Sequence, residues 1–387
     1  MSIIISCLKK FHAFALAEQI SDKNQSLIFF TTYAYQKNSL LRKIVKRVDK
    51  EKIPKEKIKT NFFIAFLVKF LKNQFILVEL YDIWVSLNLR FLKKIDVFIG
   101  WSSMSYRSIK IAKEKGALII LERGSSHILF QKKILQEEYK KFGLKFYFDN
   151  NIVKKELKEY ELADYISIPS QFVMNSFLEQ GISKDKLFLN PYGASTFFKR
   201  NEVDRKNKRF KIVYLGTSCI RKGVHYLLES VQNLNIDKNN YELLFIGKIE
   251  DEMKSIISSF NTSNCNFIGF INHYDLPTVL STCDVAVHPS IEEGMSMVTL
   301  QLLACGVPVI ATFNTGASEV VKDDYNGFII DAKNPKQIKQ KIEYLFENPN
   351  ILANMKENAV KSIEDNFKWS DYGDRYYDFL QSKISVK

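Results

Sequence analysis

The stretch Pro289–Thr312, PSIEEGMSMVTLQLLACGVPVIAT, decides the fold, because it joins a run of helix formers to a β-branched run. Residues 294–318 carry no charge over 25 positions, which is enough length to suggest a membrane span. Gly306 and Pro308 interrupt this apolar run, and a spanning helix must be continuous. The run therefore divides into two elements inside a folded protein.

The first of these elements is predicted to be a helix over 296–305, with Ser296 as its N-cap. Gly306 is expected to end it in the left-handed conformation that glycine adopts most readily. Both sides of this helix are apolar, which is typical of a helix buried in protein. A short buried strand over 307–311 follows it.

Working outward, strand-like runs alternate with helical runs along the whole chain, which predicts parallel α/β sheets. The alternation restarts after a polar spacer near residues 192–208. At 387 residues, two domains are also expected from length alone. The sequence thus predicts two doubly wound, Rossmann-like domains, 1–192 and 193–365, that face each other across a cleft.

The net charge of +13 lies in the first half of the chain. The first 190 residues carry 33 Lys and Arg against 19 Asp and Glu, most densely over 41–59. Aromatic residues interleave with lysines over Asn61–Phe75, which suits an anionic membrane surface and equally suits ordinary amphipathic helices. No nucleic-acid motif accompanies the charge. Five scattered cysteines without a CxxC pair indicate a reducing compartment and no metal framework.

Polar residues follow several predicted strands of the second half. In Tyr214–Gly223, YLGTSCIRKG, Arg221 and Lys222 precede a helix and would suit a diphosphate, although an exposed basic loop would look the same. Glu292 and Glu293 follow another strand, where one carboxylate could accept hydrogen bonds from sugar hydroxyls, or both could lie in a solvated acidic turn. Gly316 offers backbone amides nearby.

In the first half, Leu121–His127, LERGSSH, ends a strand, and His127 could orient a hydroxyl or share its proton near pH 7. His12 also follows a predicted strand. Other chemistries fail on spacing, because the sequence has no GxGxxG, GxxxxGK[ST], HExxH or GxSxG.

The segments Tyr214–Gly223, Val285–Thr312 and Asn314–Val321 together resemble the donor-binding domain of retaining GT-B glycosyltransferases, in particular glycosyltransferase family 4 (glycosyl transferases group 1). The likeness covers most of 115–375. It implies a GT-B fold, a nucleotide-sugar donor, no metal ion and no other cofactor. It also implies that the C-terminal helix, residues 366–387, crosses back onto the first domain.

The resemblance assigns three groups of residues. The catalytic group is Glu293, His127, Lys222 and Arg221. The donor-binding group is Gly216, Thr217, Ser296, Met297, Gln301 and Gly316. The acceptor-side group is His12, Arg123 and Ser125.

Three positions depart from the family pattern. Gln301 replaces the second acid of E-x(7)-E, which binds ribose hydroxyls in the family, and an amide keeps an acceptor there. Thr217 stands where many members have Arg, and Ser195 where they have Asp.

The expected function is transfer of a sugar from a nucleotide-diphosphate sugar to a glycan or lipid-linked acceptor with retention. Synthesis of a bacterial-type surface polysaccharide or lipopolysaccharide, in the cytoplasm or at the inner face of the cell membrane, is the favoured setting. Two alternatives stay open: a soluble disaccharide or sugar-phosphate glycosyltransferase, and a degenerate partner subunit that binds nucleotide without turnover.

Overall fold

The computed structural model describes residues 1–23, 25–32, 53–71, 73–204 and 209–384. Most of the densest basic stretch, residues 41–52, lies outside the described residues. So do part of the polar spacer, residues 205–208, and the last three positions of the expected crossing helix.

Parallel strands form two separate sheets, as the alternating sequence predicts. The first sheet has the order β3-β2-β1-β4-β5-β6-β7 and the second the order β10-β9-β8-β11-β12-β13. The strands of the first sheet are β1 Ser2–Ser6, β2 Ser26–Phe30, β3 Ile58–Lys59, β4 Val97–Trp101, β5 Leu118–Glu122, β6 Tyr165–Ile168 and β7 Leu187–Leu189. Those of the second are β8 Phe210–Leu215, β9 Tyr241–Ile246, β10 Cys265–Gly269, β11 Val285–His288, β12 Val309–Thr312 and β13 Gly327–Ile330.

Helices connect and cover these strands. Seven of them precede residue 190: α1 Ala13–Asp22, α2 Phe62–Phe70, α3 Gln74–Arg90, α4 Tyr106–Glu114, α5 Ile128–Lys141, α6 Asn150–Leu162 and α7 Gln171–Glu179. Seven more follow among the described residues: α8 Val224–Gln232, α9 Asp251–Ser258, α10 Leu276–Ser281, α11 Met297–Ala304, α12 Pro335–Glu347, α13 Pro349–Asn366 and α14 Trp369–Ile384.

Strand order places the polar loops of both sheets at specific points. In the first sheet the direction of winding reverses between β1 and β4, and in the second between β8 and β11. Loops that leave such neighbouring strands diverge and open a crevice at the carboxyl edge of the sheet. The loops after β8 and β11 carry the cations and acids singled out in the sequence, so they lie side by side.

The opening stretch forms the expected helix and strand. α11 has Ser296 as its N-cap, and Gly306 adopts a φ of 73°, as predicted. Its strand, β12, starts two residues later than expected, at Val309. The expectation of a helix buried on all sides is wrong at its first turn, because that turn lies at the carboxyl edge of the sheet, where Met297 is 38% exposed.

The end of the chain returns to the first sheet. α14 packs on α1, and the side chain of Arg375 donates to the carbonyl of Pro191 at 2.6 Å. Asn190 donates to the carbonyl of Tyr372 at 3.2 Å. The exact domain boundary near 192 stays a prediction.

Gly373 provides a test of how closely α14 packs. A methyl group there would overlap Cβ of Gln19 on α1 and lie 2.6 Å from its Cγ. We expect Gly373→Ala to lower the free energy of unfolding by about 1–3 kcal/mol, although alanine favours a helix by up to about 1 kcal/mol over glycine. Urea denaturation measures this. Exposed Ser382→Ala, on the same helix, is the control, and equal stability of both variants would contradict the packing.

Candidate active site

The carboxyl edges of the two sheets meet through backbone. A Cβ atom on Gly294, in the loop between β11 and α11, would collide with the carbonyl of Gly124, which follows β5. The carbonyl of Gly294 in turn accepts a hydrogen bond from Oγ of Ser170, at 2.6 Å. Gly316 packs beneath the same carbonyl. Only glycine permits such close approach, so these loops fix the width of the cleft at this point.

Glu292, from the second domain, is completely buried against the first. Its Oε1 accepts hydrogen bonds from the backbone amide and hydroxyl of Ser126, at 3.1 and 2.8 Å. Its Oε2 accepts from the side-chain amide of Gln131 at 2.9 Å and lies 3.7 Å from Nη1 of Arg221. A buried carboxylate is stable only when it is paired and hydrogen-bonded, and here both domains supply the partners.

The two cations after β8 share the acids after β11. The 3-10 turn Ile220–Lys222 presents them, and Gly223, at φ 66°, leads into α8. Lys222 is in direct contact with Oε1 of Glu293. Arg221 donates from Nη1 to the carbonyl of Glu292 at 2.9 Å and lies 3.5 Å from Oε1 of Glu293.

Burial and the Arg221 guanidinium lower the pKa of Lys222 to about 7. The carboxylate of Glu293 in contact with its amine favours the charged form and opposes that shift. An anion that enters this cluster would therefore meet two cations that are already partly desolvated.

The other residues predicted to bind the donor lie in the loops after β8, β11 and β12 and on α11. Ser296 is buried, and its hydroxyl lies 3.4 Å from Nδ1 of His288. Burial keeps the pKa of His288 well below its usual value, so this imidazole is neutral. Thr217 is exposed. Gly216 has φ 143°, and its carbonyl lies so close to Gly247 that a Cβ atom on Gly247 would collide with it. Gln301 is half-buried on α11, one turn behind Met297.

On the first-domain side, His12 is paired with an acid that the sequence did not single out. Its Nε2 lies 2.8 Å from Oε2 of Glu122, at the end of β5, and both side chains are buried. The imidazole packs against Trp101 and Tyr192, with ring centroids 5.0 and 4.4 Å away. The tyrosine hydroxyl reaches towards exposed Gly124, so this pair lies directly behind the backbone that touches the second domain.

His127 is only 2% exposed, and its contacts are with nearby residues of the first domain. Its Nδ1 accepts a hydrogen bond from the amide of Leu129 at 3.3 Å and caps α5, and its ring packs on Tyr160 and Phe177. Burial, with Arg123 nearby, lowers its pKa to about 4. A catalytic role for His127 stays a prediction, and the described contacts give it a structural one.

Arg123 holds the loop rather than pointing into open solvent. Its guanidinium donates twice to the carbonyl of Ser126, at 3.0 and 2.7 Å, and once to Gln131 at 3.0 Å. It also pairs with buried Glu156 at 2.8 Å. The loop that binds Glu292 is thereby fixed from within the first domain, while Ser125 beside it stays half-exposed.

A second bridge between the domains runs along α5. The buried carboxylate of Glu138 pairs with His225 on α8, at 3.2 Å, with Lys333, at 3.0 Å, and with the hydroxyl of Tyr226, at 2.6 Å. Tyr139 donates to Glu252 on α9 at 2.7 Å. α5 therefore closes one side of the cleft.

Sequence reasoning assigned no role to Glu122 or Glu138, and it considered Glu292 only as a possible sugar-binding carboxylate and not as a bridge between the domains. Each is an acid next to a residue already singled out, or on the helix that follows one, but their partners lie about 90–170 positions away in the chain. Within the described residues, no group of three His, Cys, Asp or Glu is placed to hold a metal ion. No described helix has the length and apolar character needed to cross a membrane.

Comparison with solved structures identifies the architecture. The chain superposes over 99% of its length on the Anabaena protein HepE in complex with UDP, with a TM-score of 0.70 at 14% identity. It superposes over 98% on WaaG, a glycosyltransferase involved in lipopolysaccharide biosynthesis, with a TM-score of 0.69 at 14% identity. These likenesses show the fold, and the expected GT-B fold is confirmed.

Sequence comparison points to the same class of protein. Residues 195–362 match the family model described as Glycosyl transferases group 1. An uncharacterized glycosyltransferase of Methanocaldococcus jannaschii is 27% identical over 290 residues, 70% of each chain. The capsular polysaccharide biosynthesis glycosyltransferase CapM of Staphylococcus aureus is 33% identical over 239 residues, 56% of this chain and 62% of CapM.

Glu292 is the first residue we would change. Replacement by alanine leaves the Ser126 and Gln131 donors and the Arg221 cation without their buried partner, so the free energy of unfolding should fall by about 2–4 kcal/mol. Glu292→Gln, which keeps one acceptor, should lose less. Urea denaturation measures both, with exposed Glu347→Ala as the control. A Glu292→Ala variant as stable as that control would show that this bridge contributes nothing.

The lowered pKa of His127 predicts that the protein loses stability in acid. Its pKa in the folded protein, about 4, lies below the unfolded value of about 6.5, so the unfolded chain takes up the proton first. The free energy of unfolding should fall by up to about 3 kcal/mol from this group as the pH drops from 6.5 to 4. His127→Asn can still cap α5 but does not titrate, so its unfolding free energy should change less over that window. Denaturant melts at several pH values would show it, and parallel pH curves for both proteins would contradict it.

Proposed function

We propose that this chain is a metal-independent glycosyltransferase. It moves a sugar from a nucleotide-diphosphate sugar to a glycan or lipid-linked acceptor, with retention of configuration at the anomeric carbon. The observation that carries the proposal is the cluster of Arg221, Lys222 and Glu293 at the edge of the second sheet, directly beside the contact with the first domain.

The two cations suit the diphosphate of the donor. Both lie after one parallel strand and before a helix, where anions bind favourably, and their desolvation strengthens the attraction. A diphosphate would take over the charge that Glu293 now neutralises. The Glu293 carboxylate would then accept hydrogen bonds from the sugar hydroxyls.

The nucleoside end would lie along the first turn of α11. Met297 is exposed there and Gln301 follows one turn later, on the part of the helix that is not buried. The amide oxygen of Gln301 can accept from ribose hydroxyls, as the family acid does. Backbone amides near Gly316, together with Ser296 and the turn at Gly216 and Thr217, would border the donor.

Retention requires the acceptor hydroxyl to approach on the face that the diphosphate leaves. The bond from the anomeric carbon to the phosphate oxygen breaks, and the bond to the acceptor oxygen forms on that face. The hydroxyl proton passes to the departing phosphate, which is the nearest base. Arg221 and Lys222 stabilise the charge that develops on the leaving group in a site closed to water.

The acceptor would enter from the first domain, past the loops that carry His12, Arg123 and Ser125. Relatives support a surface-polysaccharide setting: CapM is named for capsular polysaccharide biosynthesis, and a Campylobacter jejuni relative, 27% identical over 165 residues, for transfer to a diphospho-undecaprenol acceptor. We place this chain in the same chemical class, in the cytoplasm or at the inner face of the cell membrane.

The test is a screen of the purified protein against UDP-, GDP- and ADP-sugars. Thermal shift reports binding, and release of free nucleoside diphosphate reports turnover, with and without a membrane lipid extract and with EDTA present. We expect one donor to stabilise the protein and to release its nucleotide faster with extract, unaffected by EDTA. Product anomeric configuration, read by NMR, tests retention.

Lys222→Ala should lower the turnover of that donor by about 10²–10³-fold, because one cation of the leaving-group site is lost. Lys248→Ala, an exposed lysine of the same domain, is the matched control and should leave turnover unchanged. Equal activity of the two variants would refute the site. Binding without release under every condition would favour a degenerate partner subunit, and no binding at all would refute the nucleotide site.

A further inference from the structure

Two neighbouring helices of the first domain present apolar side chains to the solvent. On α2, Phe62, Phe63, Phe66 and Phe70 are each 49–66% exposed. On α3, Ile76, Ile83 and Leu87 are exposed, and Phe91, just after its end, is 87% exposed. We call these eight side chains the α2–α3 face. It contains almost half of the large apolar side chains that are exposed in the described part of the chain.

The face does not result from a helix that is rotated or poorly formed. The opposite side of α3 buries Leu77, Tyr81, Val85 and Leu89 in the core, so the helix is firmly seated. Ile76, Ile83 and Leu87 are spaced by seven and four residues, which places them on one outward stripe. Asn61 and Asn73 cap the two helices by accepting hydrogen bonds from Ile64 and Ile76. A surface helix normally turns polar residues to water, so this apolar stripe indicates a partner.

Cations border the face at both ends. Lys55 and Lys59 are exposed just before α2, and Arg90, Lys93 and Lys94 at the end of α3. Exposed acids on this side are fewer than exposed cations, although Glu56 is exposed beside Lys55 and Asp96 pairs with Lys94 at 3.0 Å. Asp82 is buried, and Glu79 pairs with Lys155 and Arg107. In the sequence, residues 41–59 leading into α2 carry nine Lys and Arg against three Asp and Glu. An apolar surface with a cationic rim suits a bilayer with anionic headgroups.

The face also adjoins the acceptor side of the cleft. Nζ of Lys9, in the loop after β1, donates to the side chain of Gln74 at the start of α3, at 3.3 Å. Phe11 in that loop is exposed, and His12 follows it. A surface that rests on the α2–α3 face would therefore lie next to the loop where the acceptor enters.

We propose that the α2–α3 face docks this protein on an anionic lipid bilayer, with the Phe side chains inserted below the headgroups. The proposal rests on the function proposed above, because it means that the acceptor reaches the cleft from the membrane surface. A second copy of this chain fits the face less well, since two basic rims would repel each other.

The experiment is vesicle flotation of the full chain at about 0.1 M salt, near physiological screening. Vesicles are phosphatidylcholine alone, or phosphatidylcholine with about one third phosphatidylglycerol. The double variant Phe63→Ser/Phe70→Ser removes two exposed rings of the face. Tyr147→Ser, which is 90% exposed on another loop of the first domain, is the matched control. Thermal melts and the thermal shift with nucleotide confirm that each variant is folded.

We expect the wild type and Tyr147→Ser to float with the anionic vesicles. The double variant should bind these vesicles at least about tenfold more weakly. If the wild type binds neutral and anionic vesicles equally, the proposed preference for anionic headgroups is wrong. If the double variant binds as well as the wild type, the α2–α3 face is not the docking surface. A wild-type dimer by light scattering that the double variant disrupts would assign the face to a second copy instead. A protein that binds and turns over its donor but never floats would overturn this inference and leave the proposed function standing. A protein that floats with the vesicles but binds no nucleotide would leave the docking surface standing and overturn the proposed function.

Discussion

The buried carboxylate of Glu292 is the interaction on which the geometry of the cleft depends. A charge taken out of water is costly unless every lone pair finds a partner, and its partners come from both domains. Ser126 and Gln131 hold it from the first domain, and Arg221 from its own. Because Glu293 is the next residue, fixing one side chain also fixes the direction of the other. The cluster of Arg221, Lys222 and Glu293 is thus positioned by a contact with the first domain.

Backbone contacts hold the two domains close together at this point of the cleft. Gly294 meets the carbonyl of Gly124 across the cleft and lies over Gly316, and neither Gly294 nor Gly316 has room for a side chain. Ser170 adds a hydrogen bond to the Gly294 carbonyl at the N-cap of α7. Small residues at the contact lie beside buried charges, Glu292 and Glu293, and electrostatic forces are strong where charges are removed from water. Any change in the angle between the domains would have to break these contacts first.

The sequence predicts what depends on local pattern and fails where distant loops meet. The alternation of strands and helices, the helix after Ser296 and the left-handed Gly306 all follow from residue type and spacing, and the structure confirms them. The pairing of Glu122 with His12 and the bridge made by Glu292 join loops that no periodicity relates. In the sequence His127 is a candidate base. In the structure its neighbours bury it, and its Nδ1 accepts the hydrogen bond that caps α5.

The burial of acids also affects how the net charge of the first half of the sequence relates to the charge on its surface. Among the described residues of the first half, five acids are buried but only two cations, Arg123 and Lys155. The acids are Asp82, Glu122, Glu138, Glu156 and Glu159. Acids that are paired inside the protein do not offset lysines on its surface. The outer surface of the first domain is therefore more basic than the net charge of its sequence indicates.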